Sequence, residues 1–147
     1  MKIQRNFPSV RVTKKAALSL QNGHPWVYTE EITEYNGSFE NGDLVDVFSP
    51  KGSYLGTGFI NTFSKIGVRI ISTNANDKFD EAFFKRRLQH AYSYRKTVMQ
   101  KDINNCRLIF GEADRFPGLT VDRFNNLIVI QVLSLGIEKR IDNKIGY

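Results

Sequence analysis

Short stretches that alternate between apolar and polar side chains fill the first half of the chain. Over Ser9–Thr13, Val10 and Val12 fall on one face, which is the period-two pattern of a strand. The same pattern, with Gly-containing turns between segments, predicts four more strands: Trp26–Ile32, Leu44–Phe48, Tyr54–Ile60 and Ile66–Ser72. Several short strands joined in this way are typical of a small closed or nearly closed barrel.

One short helix interrupts this series of strands. Thr13 is placed to cap its start, Ala16 and Leu20 give it an apolar face, and Asn22-Gly23 is a typical helix end. Residues 1–74 are therefore predicted to form a compact β barrel with one helix.

The hydrophobic period changes from two to 3.6 after the polar run Thr73–Asp77. A helix is predicted from about residue 79 to residue 99 or 100, with Asp77 or Asp80 as its cap. Three strands follow, at Arg107–Gly111, Leu119–Arg123 and Leu127–Leu133. The last of these is so apolar that it is predicted to be covered on both faces.

Ser134 is predicted to cap a last helix that carries Ile137 and Ile141. The fold class predicted is α+β, with the small barrel over residues 1–74 and an incomplete α+β domain over residues 75–147. The third strand and the last helix are interpreted as part of a domain that is not complete within this sequence. Apolar surface left uncovered there would suit a homodimer contact.

Charge adds a functional expectation to this outline. The net charge is +6, the pI is about 9.5, and no acidic residue precedes Glu30, which favours an anionic partner, nucleic acid first. Basic residues flank the first helix and continue onto the last barrel strand. With the aromatic segment at the helix exit they are the candidate RNA contacts: Arg11, Lys14, Lys15, His24, Pro25, Trp26, Lys65 and Arg69. The alternative is a solvated basic face.

Trp26, the only tryptophan, allows two interpretations. A single Trp most often fills a core, whereas a Trp beside basic residues can contact nucleic acid. The expectation combines them: Trp26 enters the barrel, while His24, Pro25 and the preceding helix form a rim that faces RNA. The basic run Lys85–Arg87 on the second helix is interpreted as a solvated face.

Residues able to carry out catalysis are sparse. The acids Glu112, Asp114 and Asp122 would suit a divalent metal or an acid–base pair, but local pairing with the arginines next to them is the favoured interpretation. Cys106, the only cysteine, opens a predicted strand and has no histidine near it in sequence. It is therefore interpreted as structural.

Cofactor-binding and membrane signatures are not found in the sequence. Gly56-Thr57-Gly58 lies inside a predicted strand, where glycine suits close strand approach and not a phosphate-binding loop. The apolar run Leu127–Leu135 is far short of the ~20 residues of a membrane-spanning helix. The chain itself is predicted to be a cytoplasmic binding module that holds no metal and no cofactor and contacts no membrane.

Two blocks of the sequence carry a resemblance to known families. The first block consists of Val10-Arg11-Val12, His24-Pro25-Trp26-Val27, Gly42–Val47, Tyr54–Gly58 and Ser64–Arg69. It resembles a PUA domain, an RNA-binding pseudobarrel attached to RNA-modifying enzymes. The second consists of Phe83–Leu88, Arg107–Ile109, Gly111–Asp114, Pro117–Leu119 and Val121–Phe124. It resembles the bacterial 23S rRNA cytosine-C5 methyltransferases, which join a PUA domain, a central α+β domain and a Rossmann-like domain that binds S-adenosylmethionine.

The resemblance implies that this chain is the RNA-binding N-terminal portion of such an enzyme, with 23S rRNA as its partner. The catalytic domain, with its S-adenosylmethionine loop and cysteines, is then expected beyond Tyr147. Cys106 does not match a catalytic cysteine, so no catalytic residue is expected in this chain. The implied RNA contacts are Arg11, Lys14, Lys15, His24, Pro25 and Trp26, with Lys14 and Lys15 matched by position and charge. The alternative is a stand-alone, non-catalytic adaptor that binds RNA or protein.

Overall fold

A computed structural model describes residues 6–144 of the chain, with side chains as far as Arg140. Its first half contains β1 (Ser9–Val12), α1 (Lys14–Gln21), β2 (Trp26–Tyr28), β3 (Ile32–Asn36), β4 (Leu44–Phe48), β5 (Tyr54–Ile60) and β6 (Ile66–Ser72). The bounds of β4, β5 and β6 are those predicted from alternation. The helix is also confirmed, because the Thr13 hydroxyl accepts a hydrogen bond from Ala16 N at 3.2 Å.

These six strands form one curled sheet, a half-barrel, in the order β2-β6-β5-β4-β1-β3. Neighbouring strands are antiparallel except β1 and β4, which are parallel. The inner face holds a first core that α1 covers with Ala16, Ala17 and Leu20. The α+β class is thereby confirmed.

The strand predicted over Trp26–Ile32 is wrong, because a 3-10 turn at Thr29–Glu31 divides it into β2 and β3. Two side-chain bonds stabilise the turn. The Thr29 hydroxyl donates to Ser64 O at 2.5 Å, and a Glu31 carboxylate oxygen accepts from Tyr28 N at 3.1 Å. β2 pairs with β6, whereas β3 crosses to the other edge and pairs with β1.

The second half begins with α2 (Glu81–Met99), and Asp80 is its cap, accepting from Phe83 N at 2.9 Å. A 3-10 segment, Gln100–Asn104, leads into a three-stranded antiparallel sheet. The sheet contains β7 (Asn105–Phe110), β8 (Leu119–Phe124) and β9 (Leu127–Val132), with a 3-10 turn at Gly111–Asp114 between β7 and β8. The last helix, α3, spans Leu135–Lys144.

One expectation for the end of the chain is wrong. β9 is not covered on both faces: it is an edge strand whose apolar residues from Leu127 to Ile130 are all exposed, Leu127 by 60%. A continuous apolar run does not by itself distinguish a buried strand from an exposed one. Ser134 lies at the start of α3, where its carbonyl accepts from Glu138 N at 3.0 Å, while its hydroxyl donates to Pro117 O at 2.7 Å. Ile137 is buried, whereas the Ile141 side chain lies outside the described part of the structure. The homodimer contact stays a prediction.

A second core joins the two halves of the chain. Leu44, Phe59 and Ile71 of the barrel strands pack in it with seven residues of the second half: Phe79, Phe83, Ala91, Ile109, Phe116, Leu119 and Ile137. Phe59 reaches this core because side chains alternate along β5: its cross-strand partner on β4 is Leu44, which lies in the same core. Leu55 and Ile60 of the same strand face the first core. Phe59 therefore lies on the opposite face of β5 from Ile60, toward the second half.

Candidate functional site

The start of α1 presents two lysines to solvent. Lys14 and Lys15 are both exposed, because the helix turns Ala16, Ala17 and Leu20 toward the barrel. No acidic residue lies in the first turn of the helix. Since the N-terminal end of a helix carries a partial positive charge, two lysines there produce a strongly positive surface.

Backbone hydrogen bonds bring a third lysine to the same edge of the barrel. Thr13 N donates to Glu31 O at 3.0 Å, and Thr29 N donates to Lys65 O at 2.9 Å. The turn Thr29–Glu31 therefore lies between the start of α1 and Lys65, which is exposed. We call Lys14, Lys15 and Lys65 the lysine edge. Glu30 and Glu31 of the turn place acidic groups beside it.

Arg11 is held apart from the lysine edge by its own partners. It lies on β1, where its Nη1 donates to Pro50 O at 3.0 Å and its Nε is 3.4 Å from a Glu34 carboxylate oxygen. Both side chains of this ion pair are about half exposed, at 42% and 52%, so the pair is weak and water competes for it. Arg11 can exchange Glu34 for another anion.

A different cluster forms at the exit of α1. Trp26 Nε1 donates to a Glu112 carboxylate oxygen at 3.0 Å, and Arg69 Nη1 donates to the same oxygen at 3.2 Å. Trp26 and Arg69 are cross-strand partners of β2 and β6, and the guanidinium lies 5.4 Å from the centre of the indole ring. The His24 ring packs edge-on against Trp26, and its Nδ1 accepts from Trp26 N at 3.1 Å.

The expectation that Trp26 enters the barrel is therefore wrong. Its neighbour Val27 faces the first core, and the alternation of β2 turns Trp26 outward to the junction with the second half. Pro25 is half-buried, and its carbonyl accepts from Ile70 N at 2.8 Å. Of the residues predicted from sequence, His24, Pro25, Trp26 and Arg69 come together here, and none of the hydrogen bonds that hold them involves a side chain of the lysine edge.

The favoured interpretation of the acidic residues is also wrong in part. Glu112 bonds across to the barrel, and Asp114 pairs with Arg95 of α2 at 2.7 Å. Only Asp122 pairs within the small sheet, with Arg107 of the adjacent strand at 2.7 Å. Sequence reasoning missed Glu112 as a bridge because its partners lie 43 and 86 positions away. No residue near Glu112 in the sequence indicates such a contact.

Replacing Glu112 with alanine is expected to lower the free energy of unfolding by about 1–2 kcal/mol, because Trp26 N–H and Arg69 both lose their acceptor. Since Trp26 is the only tryptophan, iodide quenching of its fluorescence is expected to increase at the same time. The matched control is Glu40→Ala, whose carboxylate is 87% exposed and 3.8 Å from Lys139 Nζ. Urea unfolding and quenching that do not differ between the two variants would show that the bridge is absent in solution.

Other kinds of site are not evident in the described residues. Among residues 6–144 no group of three or more His, Cys, Asp or Glu side chains is arranged to hold a metal. Within the same range, no helix is both long and apolar enough to cross a membrane. Cys106 is half-buried, with its Sγ 3.5 Å from Ile103 O.

Comparison with known proteins gives a consistent result. Residues 10–73 match the PUA-like domain family. The chain is 36% identical over 133 residues to ribosomal RNA large subunit methyltransferase I of Klebsiella pneumoniae, covering 90% of this chain and 33% of that protein. It is 39% identical over 121 residues to the protein of the same name from Escherichia coli, covering 82% of this chain and 31% of the relative. The chain thus spans about a third of the length of these curated relatives.

Two solved structures share the fold. One is a protein of Streptococcus mutans assigned as a SAM-dependent methyltransferase, with a TM-score of 0.77 at 18% identity over 93% of this chain and 36% of the other. The second, assigned as a methyltransferase and solved with SAH, gives the same TM-score and identity and covers 35% of that chain. Both relate this fold to one part of a longer protein.

Proposed function

Because residues 10–73 form a PUA-like domain and 90% of the chain aligns with ribosomal RNA large subunit methyltransferases, we propose that the chain is the RNA-recognising part of such an enzyme. In this proposal the enzyme transfers a methyl group from S-adenosylmethionine to C5 of a cytosine in 23S rRNA. It acts in the cytoplasm, and its catalytic residues lie outside these 147 residues. The chain supplies binding and orientation of the RNA.

The lysine edge is the observation that carries the proposal for this chain. Lys14, Lys15 and Lys65 are exposed on one edge of the PUA-like barrel, and the first two stand at the positive end of α1. Phosphate contacts of this kind provide affinity that decreases with salt. We propose that His24, Pro25, Trp26 and Arg69 form a second contact, with the indole and guanidinium held in place by Glu112. Arg11 also contacts the RNA in this proposal, with a phosphate replacing Glu34 as its ion-pair partner.

The Gly-x-Gly sequence of the barrel does not fit S-adenosylmethionine. The one Gly-x-Gly sequence in the barrel, Gly56-Thr57-Gly58, lies within β5. At Gly58 an added Cβ would be 2.9 Å from Ile70 Cα, so the space beside this glycine is filled by β6. A cofactor loop needs an open strand-to-helix turn. We therefore do not place the cofactor of the proposed enzyme at this glycine pair, and we assign no chemical step to the residues of this chain.

Reversing two charges of the lysine edge tests the proposal. The double variant Lys14→Glu, Lys15→Glu is expected to bind a fragment of large-subunit rRNA about tenfold more weakly, which is about 1.4 kcal/mol, and to show a smaller salt dependence. Folding is expected to be retained, because acidic residues are favourable at a helix start. The measurement is a fluorescence-anisotropy titration at several salt concentrations.

The matched control for this experiment is Lys85→Glu, Lys101→Glu. It changes the net charge equally at two exposed positions of the second half. Affinity reduced to the same extent by both pairs would mean that only net charge matters. Affinity that neither the lysine-edge variant nor salt changes would overturn the proposed role and favour a protein-binding adaptor.

A further inference from the structure

An open groove runs along α2, on the side where the 3-10 turn Gly111–Asp114 approaches it. Its volume is about 850 Å³. One face of the helix forms the floor from Phe83 to Thr97, which at 1.5 Å per residue is about 21 Å long. The residues that determine its chemistry are Arg86, Arg87, His90, Tyr94 and Arg115, and we call it the basic groove.

Arg87 fixes one wall of the basic groove. Its Nη1 donates to Arg115 O at 2.9 Å and also to Ile71 O, and its guanidinium lies 4.4 Å from the centre of the Phe83 ring. The expectation that Lys85–Arg87 is simply a solvated face is therefore wrong for Arg87. Burial, with the nearby positive charge of Arg115, lowers the pKa of Arg87 to about 10. Two cations thus stand close together beside an open space.

The carboxylates that line the groove already have partners. Asp114 Oδ2 accepts from Arg95 Nη2 and from Phe110 N, each at 2.7 Å. Asp77 Oδ2 accepts from the Ser72 hydroxyl at 2.5 Å, although Asp77 also offsets part of the charge of Arg87.

Two arginines of the groove, unlike Arg87, have side chains with no partner within the described part of the chain. The side chains of Arg86 and Arg115 are exposed and make no hydrogen bond or ion pair with another residue of the described part of the chain. The groove therefore presents positive charge that the fold does not neutralise. An anion bound there would contact two guanidinium groups, a geometry that suits phosphate oxygens.

An aromatic ring completes the arrangement. The Tyr94 side chain is 57% exposed in the groove, and the Arg95 guanidinium lies 5.0 Å from the centre of its ring. A ring held in this way offers a flat surface for an unpaired base. Arginines on the walls and an aromatic ring on the floor are the combination that single-stranded nucleic acid requires.

We propose that the basic groove binds a single-stranded segment of RNA, with phosphates on Arg86 and Arg115 and a base on Tyr94. The inference rests on the proposed RNA-binding function and adds a second site outside the PUA-like barrel. The position of the turn Gly111–Asp114 supports it. Glu112 contacts Trp26 and Arg69 of the barrel, while Ala113 and Asp114 line the groove. One RNA strand that passes over this turn meets both surfaces.

The double variant Arg86→Gln, Arg115→Gly tests the groove. Arg115 has a φ of +61°, which glycine adopts without strain, and the Arg115 carbonyl that holds Arg87 is kept. The variant is therefore expected to fold. We expect it to bind a 12-nucleotide oligouridine about fivefold more weakly, and the slope of log K against log salt to decrease in magnitude by about 1.4 for two lost phosphate contacts. The control Lys85→Gln, Lys101→Gln changes the charge equally outside the groove and is expected to alter affinity less than about twofold.

The same titrations on the lysine-edge variant separate the two proposals. If the lysine-edge variant weakens binding and the groove variant behaves as its control, the groove inference is wrong and the proposed function stands. If the groove variant alone weakens binding, the groove inference holds and the lysine edge is not the contact. If the unaltered chain shows no salt-dependent binding to oligouridine or to rRNA fragments, both are overturned.

Discussion

Replacing Gly58 with alanine is expected to lower the free energy of unfolding by about 3 kcal/mol or more, at the upper end of the cost of overpacking a core. A Cβ at this position would overlap Arg69 O and lie 2.6 Å from Arg69 C and 2.9 Å from Ile70 Cα. All three are backbone atoms of β6, which is fixed by pairing with both β5 and β2. This overlap can therefore be relieved only if β5 and β6 move apart, because no side-chain rotation removes it.

The control for Gly58→Ala is Gly23→Ala. Gly23 has a φ of +93° and no heavy atom within 4 Å of an added Cβ, so its substitution costs only the local strain of about 1–2 kcal/mol. Urea unfolding followed by Trp26 fluorescence measures both variants. A Gly58 variant no less stable than the Gly23 variant would mean that β5 and β6 do not approach as closely as the structure has them.

Features that depend on neighbouring residues could be predicted from the sequence. The bounds of β4, β5 and β6 follow from alternation and from the turns between them, and the caps at Thr13 and Asp80 follow from side chains that bond three residues ahead. The resemblance to PUA domains and to rRNA methyltransferases is confirmed by the PUA-like match over residues 10–73 and by relatives that align with up to 90% of the chain.

Features that depend on distant residues could not be predicted. Trp26 was expected in the barrel because a lone Trp is usually buried, but its N–H bonds to Glu112, which is 86 positions away. β9 was expected to be covered because it is apolar, and its exposure depends on which elements lie beside it. In both cases the sequence pattern is the same whichever environment the fold provides.

The candidate site also has a part that depends on neighbouring residues and could be predicted, and a part that depends on distant residues and could not. Exposure of Lys14 and Lys15 follows from the local pattern of α1, in which the apolar residues lie on the opposite face. The partners of Arg11 and Arg69 are carboxylates on other elements, so sequence alone counted both arginines as unpaired charge. The basic groove was missed because Arg86 and Arg115 belong to different elements and meet only through the hydrogen bond from Arg87 to Arg115 O.

Replacing Phe59 with alanine is expected to cost about 3–5 kcal/mol, the usual range for removing a buried phenylalanine. Phe59 is 3% exposed, although it lies on the outer side of the barrel sheet, because the second core covers it there together with its cross-strand partner Leu44. Hydrogen exchange is expected to increase more in α2, α3 and β7–β9 than in β1 and β4, since the first core is left intact. Phe63→Ala removes the same side chain where it is 92% exposed, and is expected to change stability by less than about 0.5 kcal/mol.

A second substitution makes this prediction sharper, because its cost should depend on whether the Phe59 ring is present. In α3 an added Cβ on Gly136 would overlap the Phe59 ring and lie 2.6 Å from Phe59 Cβ, so Gly136→Ala is expected to destabilise the unaltered protein. In the Phe59→Ala background the ring is gone and only the approach to the Cβ of residue 59 remains, so the same change is expected to destabilise the protein less than it does in the unaltered chain. The measurement is a double-mutant cycle by urea unfolding. Additive effects would show that α3 does not pack on Phe59, and that the two halves of the chain are not joined through this core.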